Sequence, residues 1–252
     1  MTSTALATGK LGKLSVRTDV RTLRLRKYVD PPALPTPPER IDLTPHVGEW
    51  PMYANDTRGD CTTAAAGHMI EAWTAASAGQ AVEVPEDAVV SAFDAVRLID
   101  PRTGEEGAIE LDVLRYWRKT GIGGHRIGAF TAVGSADHEL TRTAAWLFGG
   151  LYIGLALPAT ARRQETWDWT GSLSGDAKPG SWGGHAVDVV RLDDAGLTVV
   201  TWGRLQLMTW TFWDRYCDES YCILSNDFLL EGRAPNGFDL AALKADLRLI
   251  TA

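Results

Sequence analysis

The 252-residue chain is 45% apolar and 23% charged, the balance of a globular protein with a sizeable core rather than of a disordered segment. Its net charge of −7 argues against a nucleic-acid partner. Three cysteines (Cys61, Cys217 and Cys222) with no CxxC pair suggest neither a disulfide framework nor a zinc or redox motif. No metal or cofactor is expected, and a reducing, cytoplasmic compartment is the simplest location.

The first 40 residues read as a basic arm, with eight Lys/Arg against three Asp/Glu. "MTSTALATGKLGKL" lacks the apolar centre of a secretory signal. "PPALPTPPER" must be extended, because proline fixes φ and removes donors. The arm is expected to contact either its own domain or a partner protein.

A helix is predicted from Cys61, since Ala65, Met69, Ile70, Trp73 and Ala76 recur at helical spacing and Gly79 supplies a stop. Further helices are expected over 85–99, with Pro85 in the first turn, over 110–121 and over 137–150. The most apolar run, 146–159, is broken by Gly and Pro and falls short of the ~20 residues that span a bilayer; no membrane association is expected. After Gly150 the texture changes. "LYIGLAL", "HAVDVVRL", "LTVVTW", "LQLMTWTF" and "SYCILS" are short, rich in β-branched and aromatic residues, and read as strands. "DDAG" (193–196) is a hairpin signal between two of them. Helices first and an antiparallel sheet second make an α+β protein. The domain is expected over 41–252, with a helical half over 41–150, a β half over 151–230 and a tail over 231–252.

"YANDTRGDCTTAAAGHMIEAW" places Cys61 where a turn becomes a helix. A helix N-terminus or a nearby imidazolium lowers a thiol's pKa from ~8.5 and makes it a nucleophile. Five histidines are available. His68 lies two turns along the same helix and cannot reach back; His46, His125 and His138 have ordinary explanations in loops and caps. His185, in "PGSWGGHAVDVV", stands where a glycine-rich approach enters an apolar strand, and so faces an open cleft.

Over roughly residues 40–225 the sequence resembles the papain-like cysteine peptidases. Pro51 and Asn55 fall ten and six residues before Cys61, "CTTAAAGHMIEAW" is similar to that family's nucleophile helix, and "GGHAVDVVRLDDAGLTVVTWG" to its histidine strand, hairpin and "NSWG". A weaker resemblance is to actinobacterial or phage-type members. The resemblance implies a papain-like α+β fold, with the nucleophile helix packed on an antiparallel sheet or barrel, and a Cys61–His185 pair acting on a peptide or protein substrate. It implies Asn55, in place of the family's glutamine, as an oxyanion donor. Gly59 would let a substrate backbone approach, Trp202 would shield His185, and Trp182 would line the cleft with Trp167, Trp169, Trp210 and Trp213. The arm would cover the cleft as a pro-segment does.

One departure stands out. The family's orienting asparagine aligns with Val200, which cannot hold an imidazole. Thr201 is expected to point to the other face of its strand unless a bulge intervenes, and Asp188 also has the wrong parity. The site is thus expected to be a dyad or to have a third partner elsewhere. Two other readings remain open: a weakly active or inactive scaffold serving as a virion or other binding protein, and a cysteine-dependent amide transferase or ligase.

Overall fold

The computed structural model describes residues 9–27, 36–101 and 103–229. The expected tail over 231–252 and residues 31–35 of the proline-rich segment lie outside these residues.

In chain order, β1 (Ile41–Asp42) precedes α1 (Cys61–Ala78), α2 (Glu86–Val96), the pair β2 (Leu98–Ile99) and β3 (Glu106–Gly107), α3 (Glu110–Lys119), β4 (Ile127–Ala132) and α4 (His138–Phe148). The second half holds β5 (Leu151–Leu157), β6 (Thr166–Trp167), β7 (Gly183–Leu192), β8 (Leu197–Thr201), β9 (Arg204–Met208), α5 (Trp210–Tyr216) and β10 (Cys217–Ser225). The main sheet runs β4-β10-β5-β7-β8-β9-β6, with β1 added to β7; all pairings are antiparallel except β6 with β9. This is the expected α+β arrangement, helices first and sheet second.

α1 is the central element. Every residue from Cys61 to Ala75 is buried, and Gly79 ends the helix in the left-handed region at φ 74°, its N–H bound to Ala75 O. A glycine inside a helix is destabilising by itself, but a Cβ on Gly67 would lie 2.6 Å from the Tyr53 ring. Gly67 thus lets the segment before Cys61 press onto the helix. Trp73 stacks on Trp117 of α3 with centroids 5.5 Å apart, and its indole N–H donates to Gly149 O at 2.7 Å. Two core clusters flank the sheet. One holds the α1 side with Tyr152, Val190 and Val200, and the other holds Ile153, Val187, Val199, Trp167, Phe212 and Trp213.

Two local expectations are corrected. The second helix stops at Val96 instead of residue 99. Arg97 is extended, and Leu98–Ile99 pairs with Glu106–Gly107 ahead of the helix-disfavouring Asp100–Pro101 step. "TWTF" belongs to α5, not to a strand. Thr209 caps it by accepting the Phe212 N–H at 3.1 Å, and Phe212, Trp213 and Tyr216 share its buried face. Residues 127–132, assigned to no element from the sequence, form a strand because β10 supplies a partner.

The arm lies along the domain as far as Lys27. Arg17 pairs with Asp112 at 2.6 Å, Arg115 pairs with Asp19, the Ala132 N–H donates to Leu23 O at 2.8 Å, and Arg26 pairs with Asp137 at 2.9 Å. Among the described residues, no helix is long and apolar enough to cross a membrane.

Candidate active site

Cys61 is the first residue of α1, and its sulfur accepts the backbone N–H of Ala186 at 3.4 Å. A contact spanning 125 residues of chain thus joins the helix start to the residue after His185. His185 Nε2 lies 2.7 Å from Thr201 Oγ1, while Nδ1 has no hydrogen-bond partner. The imidazole also stacks on Trp202, with centroids 4.6 Å apart and planes inclined by 23°. Trp202 adopts φ 48°, a costly conformation for a bulky residue, of the kind that concentrates at functional sites. Trp182 packs on Trp202 at 5.4 Å, under the Arg162 guanidinium.

Thr201 does face His185, because a bulge between Val189 and Arg191 shifts the register of β7 against β8. Asp188 pairs with Val200 across β7 and β8. One step further, Thr201 stands opposite Val187, and residues directly opposite in an antiparallel pair share a face. Val187 in turn shares the face of His185. Val200 shares the other face with Asp188, toward α1. Asp188 approaches His68 Nδ1 at 3.8 Å, and His68 Nε2 meets Pro51 O at 2.7 Å, so both belong to the packing of α1. His125 and His138 pair with Asp227 and Asp214. A hydroxyl two residues before the glycine of the Trp-Gly pair was visible in the sequence; its face was not.

Asn55 is buried, with its Nδ2 donating to Arg58 O at 3.1 Å. It follows two non-glycine residues in the left-handed region, Tyr53 (φ 54°) and Ala54 (φ 63°). These place Asn55 beside Asp60, which burial pushes up to about 7 against the pull of the Asn55 side chain.

Residues 9–14 of the arm run between the two halves of the domain. Lys10 N–H donates to Asn55 O at 2.6 Å, Lys13 N–H to Gly184 O at 3.1 Å and Leu14 N–H to Ala108 O at 2.9 Å, while Gly12 O accepts from Ala108 at 2.8 Å. The Trp202 indole donates to Lys10 O at 3.1 Å. Glycines make this approach possible. A Cβ on Gly59 would stand 3.1 Å from Leu11 O, and one on Gly184 would stand 2.1 Å from Lys13 O. A groove of about 490 Å³ continues beside the arm along Lys10, Gly59, Glu106, Arg162 and Trp182. Of the other tryptophans expected in the cleft, Trp167 and Trp213 are core residues, and Trp169 and Trp210 pack against that core.

Burial dominates the electrostatics. Cys61 is 1% exposed, and burial pushes its thiol up to about 12, although the Ala186 and Gly12 N–H groups pull the other way. Burial also lowers His185 to about 3. In this state the thiol and the imidazole are both neutral, not the ion pair that position at a helix N-terminus would favour. Desolvation outweighs the helix dipole. Cys217 and Cys222 are free as well, both on β10, and burial raises the two thiols.

The fold defines the class: a central helix starting at a cysteine, packed on a sheet that presents a histidine, is the papain-like architecture. No family model matches the sequence, and no curated protein matches it. Among solved structures, the chain is similar to xylellain, a cysteine protease from Xylella fastidiosa, at 15% identity and a TM-score of 0.61 over 86% of this chain and 96% of that one. It is likewise similar to digestive procathepsin L 3 of Tenebrio molitor larval midgut, with 12% identity, a TM-score of 0.57 and coverage of 87% and 77%. For the proform of the ragweed pollen allergen Amb a 11, a cysteine protease, the values are 17%, 0.55, 78% and 70%. The expected kinship with actinobacterial or phage-type members finds no support in these comparisons.

Proposed function

We propose that the chain is a cysteine peptidase acting by acyl transfer through Cys61 and His185, held inactive in this state by its own arm. One observation carries the reading: the Cys61 sulfur at the start of α1 is bound to the N–H next to His185, whose ring is held by Thr201 and Trp202. When the arm leaves and water enters, the desolvation that keeps both groups neutral is relieved. His185 takes the thiol proton on Nδ1 while Nε2–H donates to Thr201.

The thiolate attacks the carbonyl carbon of a peptide bond, and the imidazolium protonates the leaving amine as the C–N bond breaks. Water, deprotonated by His185, then releases the acyl group and regenerates the thiol. The Cys61 backbone N–H and the Asn55 amide are assigned to the oxyanion, roughly 3–4 kcal/mol for each well-aimed donor. Trp202 excludes water from the His185–Thr201 bond, and Gly59 and Trp182 border the path of an extended peptide.

The test is covalent labelling by a peptidyl vinyl sulfone of the full chain with its arm released by Lys13→Glu, with release of fluorophore from a peptide pool. Labelling that maps to Cys61, disappears in Cys61→Ala and falls at least tenfold in His185→Ala is expected; labelling unchanged in either variant overturns the reading. The burial of Cys61 beneath the arm favours a second reading, a binding scaffold that never uncovers its thiol. An unreactive Cys61 after the arm has been displaced would select it. Hydrolysis carried out in the presence of an added amine separates a peptidase from an amide transferase by product. The three free cysteines suit a reducing compartment.

A further inference from the structure

Lys13 is the most buried of the described arm residues. Its N–H binds the carbonyl of Gly184, one residue before His185, so the side chain leaves the backbone beside the catalytic pair. The ammonium ends 3.0 Å from both carboxylate oxygens of Asp218 and 3.0 Å from Glu219 Oε1, with the lysine side chain 1% exposed. Tyr221 orients Glu219 by donating its hydroxyl to Oε2 at 2.8 Å. Glu110, the first residue of α3, is fully buried, and neither of its carboxylate oxygens has a hydrogen-bond partner. Burial opposes the charge on Lys13, yet the carboxylates of Glu110, Glu219 and Asp218 together hold its ammonium well above the ordinary range. The floor is Gly154 of β5, where a Cβ would stand 2.0 Å from Lys13 Cε. Glycine in a buried strand gives up packing; here it makes room for the lysine stem.

We propose that Glu110, Asp218 and Glu219, over the floor of Gly154, form the pocket that selects the substrate, and that it takes a lysine or arginine side chain of the peptide that replaces the arm. This deepens the peptidase reading and rests on it. A neutral occupant would leave the carboxylates dehydrated without a counter-charge, and an acidic one would add to their repulsion. Lys13 is the built-in stand-in for that side chain.

The test uses the full chain carrying Cys61→Ala and Lys13→Glu, the second change expelling the arm by repulsion. Fluorescent decapeptides copying residues 9–18 carry Lys, Arg, norleucine or Glu at the position of Lys13, and binding is read by anisotropy. The Lys and Arg peptides are expected to bind at least tenfold more tightly than the norleucine peptide, and the Glu peptide more weakly still. In a chain that also carries Asp218→Asn and Glu219→Gln, the preference should fall below threefold. Equal binding of the Lys and norleucine peptides, or no binding of either, overturns the assignment. If Lys13→Glu does not fold, Lys13→Ala replaces it. No bond is cut in this assay, so its outcome is separate from that of the labelling: a chain that labels at Cys61 but ignores lysine loses only the pocket. One that selects lysine but never labels loses only the peptidase reading.

Discussion

Replacing Thr201 by valine removes one hydroxyl and keeps the branched shape, so the core around the 2%-exposed side chain should stay packed. What is lost is the 2.7 Å partner of His185 Nε2. A buried donor left without an acceptor costs about 1–3 kcal/mol, toward the upper end when the ring is charged. That penalty falls on the imidazolium and hence on the thiolate–imidazolium pair. At about 1.4 kcal/mol per decade it corresponds to a loss of about 10- to 100-fold in thiolate reactivity. The assay is the second-order rate of Cys61 alkylation by iodoacetamide against pH, in a Lys13→Glu background that uncovers the thiol. Thr201→Val should shift the low-pH limb upward and slow alkylation at pH 6 by that factor, while Thr201→Ser should stay within about threefold of the parent. Val200→Asn is the control for register. Its amide would point at α1 and cost about 1–3 kcal/mol of stability as an unpaired buried polar group. Recovery of alkylation in a Val200→Asn/Thr201→Val double variant would refute the assignment of Thr201 and the face argument behind it.

Three further outcomes are expected. In the unsubstituted chain, alkylation of Cys61 should be slow up to pH 9, and Lys13→Glu should accelerate it at least tenfold at pH 8, because breaking a buried ion pair costs about 3–5 kcal/mol and frees the arm. Equal rates would detach Lys13 from arm retention. Gly67→Ala, which in an ordinary helix interior stabilises by up to ~1 kcal/mol, should here destabilise by about 1–3 kcal/mol in urea titration, since the new methyl meets Tyr53 at 2.6 Å; a gain in stability would show that Tyr53 yields freely. Finally, burial raises Asp60 to about 7 and Glu71 to about 8 in the folded chain, from 3.8 and 4.5. Their contribution is full below pH ~4 and is lost as pH rises toward 8. Burial depresses His185 to about 3 and His68 to about 4, from 6.5, which gives the opposite slope below that value. Above pH 6.5 the two buried histidines no longer act, and the raised carboxyls, joined by His125, which its bond to Asp227 raises, work in one direction, so stability should fall between pH 6.5 and 8, and less so in Glu71→Gln; a flat profile would contradict the burial argument.

The features legible along the chain are those set by near neighbours. Apolar spacing and Gly79 mark α1, the turn before it puts Cys61 at a helix start, "DDAG" makes the β7–β8 hairpin, and the glycines ahead of His185 mark the entry to an apolar strand, though His185 is buried and not in the open cleft expected of it. Short-range spacing and turn chemistry decide these, and the sequence carries both directly. Which side of a strand a residue faces is a different kind of fact. Thr201 rather than Val200 meets His185 because the pairing of β7 with β8, interrupted between Val189 and Arg191, sets a parity that no alignment of single strands contains. Residues 127–132 became a strand only when β10 offered hydrogen bonds, and α5 replaced a predicted strand once Thr209 could cap it and its aromatics could share one buried face. The protonation of Cys61 and the placing of Lys13 among carboxylates more than 90 residues away also depend on tertiary packing, because desolvation and charge act through space between segments that folding alone brings together.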